Sequence, residues 1–307
     1  TYIIFYYNSN IMNIYDCFMY YDEDLLLDIR LNTLNKYVKK FIITEAVYTH
    51  NGTKKKLNFD HKNFGKFKDK IDYIIVDKEP PNILQKKETD TKERKDEKLI
   101  LNGMARDNFQ RENLKRGFSN ISDEDLILIS DLDEIPNLDF LQSNYLDKNI
   151  IIFEQKMFYY KFNLLFNNFK WFGTKGTKKK NFISPQWIRN IKNKIYPFWR
   201  LDTMFSKKKY SNVSIIKNGG WHFTCIRSPK DLERKMLNFA HHYEFEQSGI
   251  NLDDLKKIMK NKVIMYKHNA DQKEDKWSGG SKLEKIDVSI LPDYIKLNLN
   301  KFNEWLD

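Results

Sequence analysis

Only two cysteines, Cys17 and Cys225, stand in the 307 residues, far apart along the chain. Such scarcity excludes a disulfide-stapled scaffold. No apolar run is long enough to cross a bilayer. The most hydrophobic opening stretch, Tyr2 to Tyr21, is broken by Asn8, Asn10, Asn13 and Asp16. It also lacks the basic flank and small-residue cleavage site of a secretion signal. Internal repeats and long low-complexity segments are missing too, which sets aside solenoids and linkers. What the chain does have is apolar mass: 41% of residues are hydrophobic and 15% aromatic, enough to bury a core and to exclude intrinsic disorder. The length corresponds to one large domain or two small ones.

The formal net charge is +11, from 53 Lys and Arg against 42 Asp and Glu. A field of that sign attracts polyanions: nucleic acid, anionic membrane or phosphorylated small molecules. The lysines, however, are scattered or sit in mixed runs such as Lys86 to Lys98. A dedicated nucleic-acid face gathers its cations on one element, so net charge alone does not choose a partner.

Apolar runs alternate with helix-like spacing through the first half, the signature of βαβ units. "NIYDCFMYY" predicts a strand, and a helix follows from Asp22, with Leu25, Leu26, Ile29 and Leu34 near helical spacing. "KFIITEAV" and Ile71 to Asp77 predict two more strands. The mixed-charge run of Lys86 to Lys98 predicts a solvated loop or lid, and Leu99 to Phe118 a helix. Leu126 to Ser130, "LILIS", is the most buried-looking strand. Beyond it the aromatic-rich stretch from Ile150 to Phe166 predicts strands. Pro229–Gln247, Leu252–Lys260 and Pro292–Trp305 predict helices. The order is α/β first and mixed α+β later.

Asp131 and Asp133 follow the apolar strand directly, in "DLDEIP". Ligands of open α/β sheets collect beyond the carboxyl ends of such strands. Two carboxylates one residue apart can hold a hard divalent cation that bridges phosphates. Asp and Pro that simply end a strand give the same string. A haloacid-dehalogenase-type phosphatase also carries an Asp pair after a buried strand, but it wants Thr or Val two residues after the second Asp. Ile135 and Pro136 stand there instead, and three strands come first, so that reading loses. In "NGGWHFTC" paired glycines bring Trp221 and His222 to a tight turn, where His222 can be a third metal ligand, a phosphate donor or a core residue. His241, His242 and Glu244 lie near a helix end; His241 and Glu244 would share a face, and Glu244 is a candidate general base or a surface carboxylate. Arg106 and Asp107 sit one turn before Arg111, a spacing that a surface ion-pair ladder explains equally well. Glu45 ends the second strand where a ribose or base contact falls in a nucleotide-binding sheet, and Asn51-Gly52 marks a tight turn.

Taken in order, "IYDCFMYYDEDLLLDIRLNTL", "FIITEAVYTHNGTKKKLNF", "ARDNFQRENLKRG", "DLILISDLDEIP", "FKWFGT", "GGWHFT" and the "HYEF" helix resemble glycosyltransferase family 17, the β-1,4-mannosyl-glycoprotein 4-β-N-acetylglucosaminyltransferases. The resemblance spans roughly Asn13 to Lys260. It implies an α/β, GT-A-like nucleotide-sugar-binding fold with a central, mostly parallel sheet and a mixed α+β C-terminal part. It also implies UDP-N-acetylglucosamine as donor, Mn²⁺ or Mg²⁺ as cofactor, and inversion at the anomeric carbon. The family's metal motif falls on Asp131 and Asp133 with Glu134 behind them, and its Gly-Trp-His turn on Gly220, Trp221 and His222. Arg106, Asp107 and Arg111 are implied near the nucleotide, with Glu45 closing its strand.

The expectation is therefore a metal-dependent inverting N-acetylglucosaminyltransferase. Asp131, Asp133 and His222 would hold metal, while Glu45, Arg106, Asp107, Arg111, Asp131 and Trp221 would bind the donor. Asp133 and Glu244 are the catalytic candidates, with Asp202 and Glu246 as rival bases. Trp171, Phe172, Trp187 and Trp199 are sugar-stacking candidates. One compact catalytic domain is expected: an extension over 1–12, a nucleotide-sugar half over 13–136 and an acceptor half over 137–307. Animal relatives carry a membrane anchor; none is visible here, so the expected location is cytoplasmic. The expected partners are a nucleotide sugar and a glycan acceptor, without nucleic acid. The rival readings are the same fold with another nucleotide sugar, a basic nucleic-acid-binding protein, and a sugar-nucleotide binder without turnover.

Overall fold

The computed structural model describes residues 5–7, 10–167, 169–203, 205–238, 242–268, 277 and 280–307. An antiparallel pair, β1 (Phe5–Tyr7) and β2 (Asn10–Met12), precedes the main sheet. Then follow β3 (Ile14–Met19), α1 (Asp24–Leu34), β4 (Val38–Ala46), β5 (Ile71–Val76), α2 (Lys92–Glu112) and β6 (Leu126–Asp131). In β3, β4 and β6 both faces are buried, which is why they read as continuous apolar runs. Side by side in the order β5-β4-β3-β6, all four strands are parallel. Cys17 lies between Ile42 and Ile129 at the centre of that register.

The second half supplies β7 (Glu134–Pro136), α3 (Ser143–Leu146), β8 (Ile150–Tyr159), β9 (Leu164–Leu165), β10 (Trp171–Lys178) and α4 (Pro185–Asn190). After these come β11 (Val213–Ile216), β12 (Gly220–Thr224), α5 (Pro229–Met236), α6 (His242–Ser248) and α7 (Leu252–Lys260). The chain closes with β13 (Glu284–Lys285), α8 (Asp293–Lys296) and α9 (Leu299–Phe302). Strand β10 runs antiparallel to both β6 and β8 and so joins the parallel half to a mixed half. There β12 pairs parallel with β8 and antiparallel with β7. The result is a mixed α/β protein around one large sheet, parallel at its first edge and mixed beyond β6. A division at residue 136 falls at the end of β7, which among the described residues pairs with β12 of the later half alone.

Apolar packing divides into layers. Phe18, Leu27, Phe41 and Leu128 belong to the largest cluster, while Cys17, Ile42, Ile127 and Ile129 form another. A third, around Tyr160, Cys225, Leu232 and Phe245, joins β8, the end of β12 and helices α5 and α6. Burial pushes both thiols above the ordinary range.

Three elements differ from the sequence-based expectation. The mixed-charge run is half helix, because Thr91 caps α2 by accepting from the Arg94 amide at 3.3 Å. The helix expected over Pro229–Gln247 is two, α5 and α6, with His241 outside the described residues. The terminal helix breaks into α8, α9 and a 3-10 turn, Asn303–Trp305.

Candidate active site

The loop from Asp131 to Glu134 leaves the carboxyl end of β6 and is held from beneath by one buried side chain. Arg30 of α1, fully buried, forks onto the equally buried Asp16 of β3 at 2.6 and 2.8 Å. Its remaining nitrogen donates to the carbonyls of Asp131, Leu132 and Glu134 at 3.1, 3.1 and 2.9 Å. A planar guanidinium is suited to this, since it meets a carboxylate and a row of carbonyls at once.

Glu134 is fully buried and ties the loop from behind. It accepts the Asp131 amide at 2.8 Å, the Trp171 indole at 2.8 Å and the Arg189 guanidinium at 2.6 Å. Arg189, carried by α4, also reaches Asp131 at 3.0 Å, and Arg111 reaches its other oxygen at 3.2 Å. Burial opposes ionisation of Asp131, but the two guanidinium groups outweigh it and hold the carboxyl well below its usual range.

In front of the loop opens a cavity of about 600 Å³. Asp131 and Asp133 line it, as do Glu23, His50, His222 and Lys235. Asp133 Oδ1 stands 3.6 Å from His222 Nε2. Burial again opposes ionisation, and the His222 imidazole and Lys235 ammonium more than offset it, lowering the Asp133 carboxyl. His222 stacks on Trp171 with ring centres 4.5 Å apart, and its buried Nδ1 has no hydrogen-bond partner among the described residues. The turn that aims this histidine needs its glycines: Gly220 has φ +136°, and a Cβ there would fall 2.2 Å from the Ile135 carbonyl. His268, on the aromatic side of the cavity, is pushed down to about 4 by burial and by His222.

Of the residues singled out by sequence, the structure brings Asp107, Asp131, Asp133 and His222 to the cavity wall. Arg111 sits just behind it, bonded to Asp107 at 2.7 Å and to Asp131. The others are elsewhere. Glu45 is fully buried, accepting from the Asn58 and Phe59 amides at 2.7 and 3.1 Å, from the Tyr73 hydroxyl at 2.7 Å and from Lys55. Its work is to pin the 55–59 loop to β4. Arg106 pairs with Glu79 at 2.9 Å and packs over Gly52, fixing the Asn51-Gly52 turn. Trp221 is buried in the largest apolar cluster and donates to the Ile290 carbonyl at 2.7 Å. Glu244 and Glu246 lie on α6, and Asp202 in an ion pair with Arg200 and Lys209; none lines the cavity. Among the sugar-stacking candidates only Trp171 does; Phe172 and Trp187 pack against a core cluster, and Trp199 is exposed.

Sequence reasoning passed over five positions at or behind the cavity: Glu23, His50 and Lys235 line it, and Arg30 and Arg189 hold the acidic loop. His50 is held at the cavity by the turn that Gly52 closes, 3.8 Å from Asp107. Burial lowers its imidazole despite Asp107, which favours the neutral form. Glu23 pairs with Arg227 at 3.0 Å and with Lys235 at 3.5 Å. Burial opposes the charge of Lys235, yet Glu23 and Asp133 raise its ammonium above the ordinary range.

Among the described residues no group of three His, Cys, Asp or Glu surrounds a single point. Asp131 is committed to two arginines, whereas Asp133 and His222 face each other across a gap with an unpartnered ring nitrogen behind. These two fit a divalent cation of the kind that takes one or two protein ligands and completes its shell with substrate phosphates and water.

A sheet whose parallel strands end in an acidic loop, with a deep cavity beyond it, defines an α/β protein of the kind that binds its ligand at the strand ends. The chain belongs to glycosyltransferase family 17, whose profile matches residues 5–266. That makes it a transferase acting in glycosyl transfer. The matched stretch is wider on both sides than Asn13 to Lys260. No curated protein matches the chain.

Proposed function

We propose that this chain transfers N-acetylglucosamine from UDP-N-acetylglucosamine to a hydroxyl of a glycan acceptor, with inversion and with a divalent metal. The observation that supports this most is the cavity against the Asp131–Glu134 loop. Its volume of about 600 Å³ suits a nucleotide sugar, and acid, imidazole and ammonium groups converge on one wall. Asp133 and His222 are the residues that would hold the metal, which when bound supplies charge neutralisation for the departing diphosphate. Lys235 stays charged beside them and adds a second cation for that leaving group. Asp131, caged by Arg111 and Arg189, is a fixed buttress under the loop.

Inversion needs one group to take the acceptor proton. Glu244 does not reach the cavity; His50 does, in its neutral form, with Asp107 beside it to steady the imidazolium that forms. His50→Gln is expected to lower kcat by about 10²–10⁴-fold with little change in donor affinity. Wild-type kcat in that variant returns the role to another carboxylate.

The test of the whole reading is thermal stability against a panel of nucleotide sugars, with Mn²⁺ and then with EDTA. A ligand at 100 times its Kd adds about 2.7 kcal/mol, an easily measured shift. Stabilisation by UDP-N-acetylglucosamine only with metal supports donor and cofactor together. A shift with another sugar nucleotide reassigns the donor, and no shift with any removes the reading.

A further inference from the structure

The segment after α4 carries four of the most exposed large apolar side chains among the described residues, Met204 within it lying outside them. The segment leaves at Ile191, which is buried, and returns to β11 at Val213. Its two stems are tied: the Lys192 amide donates to the Lys208 carbonyl at 2.8 Å, and the Tyr196 amide to the Tyr210 carbonyl at 3.2 Å. The Trp187 indole fastens the base by donating to the Tyr210 hydroxyl at 3.0 Å. Beyond these ties the tip carries Phe198, Trp199, Leu201 and Phe205, which are 82, 69, 72 and 89% exposed. Scattered single apolar residues are ordinary on a surface; four large ones within eight positions are not.

The charge around the tip has one sign. Lys192, Lys194, Arg200, Lys207, Lys208 and Lys209 flank it, and the single acid of the segment, Asp202, is neutralised internally by Arg200 and Lys209 at 2.8 Å each. Arg200, Lys194 and Lys209 also gather over the Tyr196 ring at 5.4, 5.8 and 5.9 Å. An apolar tip above a cationic collar matches the two layers of an anionic bilayer surface, acyl boundary and phosphate headgroups. Single-stranded nucleic acid would need flat rings presented along a groove. Here Leu201 offers a base nothing to stack on, and Phe198 and Trp199 meet edge to face at 82°.

We propose that the 192–209 segment docks the protein on a membrane surface containing anionic lipid, with Phe198, Trp199, Leu201 and Phe205 entering the headgroup boundary. This is attachment to one leaflet: among the described residues no helix is long and apolar enough to cross a membrane. The site stands apart from the cavity and does not depend on the proposed reaction. Its geometric link is α4, whose last turn places Arg189 on Asp131 and then leads directly into the segment.

Flotation of the full chain with vesicles of phosphatidylcholine and phosphatidylglycerol, 7:3, against phosphatidylcholine alone tests it. Binding is expected to the anionic vesicles, weaker in 0.5 M salt, with a blue shift of tryptophan emission that Trp199→Phe removes. Phe198→Ser/Leu201→Ser/Phe205→Ser should abolish binding with an unchanged melting midpoint, since these side chains bury little. Lys207→Gln/Lys208→Gln should weaken it about 25-fold, roughly fivefold for each cation removed. Equal binding to neutral vesicles, or binding that survives both sets of substitutions, overturns the proposal. So does absence of binding by a folded chain. Capture of a single-stranded oligonucleotide, or a dimer that the serine substitutions dissolve, in place of vesicle binding, assigns the patch to that occupant instead.

Discussion

Arg30→Met removes the clamp beneath the acidic loop without touching the cavity. Both members of the Arg30–Asp16 pair are fully buried, so the substitution strands a carboxylate in the core, which costs about 3–5 kcal/mol. The Asp131, Leu132 and Glu134 carbonyls lose a shared donor at the same time. These losses overlap because one guanidinium serves all of them, and a net destabilisation of about 4–6 kcal/mol is expected. That is a large share of a typical folding free energy of about 5–15 kcal/mol. Asp16→Leu/Arg30→Met separates the two effects. It removes the stranded charge, and stability should return to within about 2 kcal/mol of the parent. The loop carbonyls stay unheld, so UDP-N-acetylglucosamine binding should remain weak. Urea midpoints at pH 7.5 and titration calorimetry read the two quantities. A cost below about 1 kcal/mol for Arg30→Met, or parental donor affinity in the double variant, refutes the clamp.

Asp133→Ala should abolish metal-dependent donor stabilisation in a melting assay while leaving the unliganded midpoint near the parent's; retained metal dependence would move the site elsewhere. Lys175 is pushed down to about 7 by burial and by Arg189. The unfolded chain keeps that proton to about pH 10.4, so unfolding takes up a proton between these values and stability should rise with pH across that window. Lys175→Met should flatten the rise in a series of urea melts; an unchanged slope assigns it to other groups. Asp131 is depressed instead, so its share of stability is complete above about pH 3.9 and is lost as pH falls below it. Asp131→Asn should therefore flatten the acid limb of thermal midpoint against pH. Gly220→Ala, at φ +136°, should cost about 2–4 kcal/mol and displace His222, seen as a lower midpoint together with lost metal response.

The parallel half was legible because β3, β4 and β6 are buried on both faces and therefore apolar throughout. The start of α2 was not, and its burial explains why. Its inward face is Lys98, Asn102, Gly103, Arg106, Gln110 and Arg111, while Leu101 and Met104 are 41 and 47% exposed. Lys98 and Asn102 bond to Asp90 and to the Leu84 backbone, so burial along this start is polar and apolar periodicity has nothing to detect there. Asp131 and Asp133 were legible from their place at a strand end. Glu45 has the same kind of place, but three donors from the 55–59 loop and the Tyr73 hydroxyl of β5 satisfy it. Arginine carried a signal that went unused. The sequence holds nine arginines among 53 basic residues, and Arg30, Arg106, Arg111, Arg189 and Arg227 are the ones with side chains at most 15% exposed, each on a carboxylate. In a chain that defaults to lysine, an arginine marks a position where forked geometry is required.

The two cysteines give this protein a built-in recorder. Cys17 sits in the middle of the parallel strands and Cys225 in the cluster behind β8 and α5, so the thiols belong to different packing units. Burial raises both thiols above their ordinary range, so Cys17 should stay silent to alkylating reagents while the chain is folded and Cys225, which also lines the cavity, should react only slowly. Labelling timed under mild denaturant, read thiol by thiol in peptide masses, would report which half opens first. An added surface cysteine on the exposed segment would then be the fast-reacting handle for following where that segment goes.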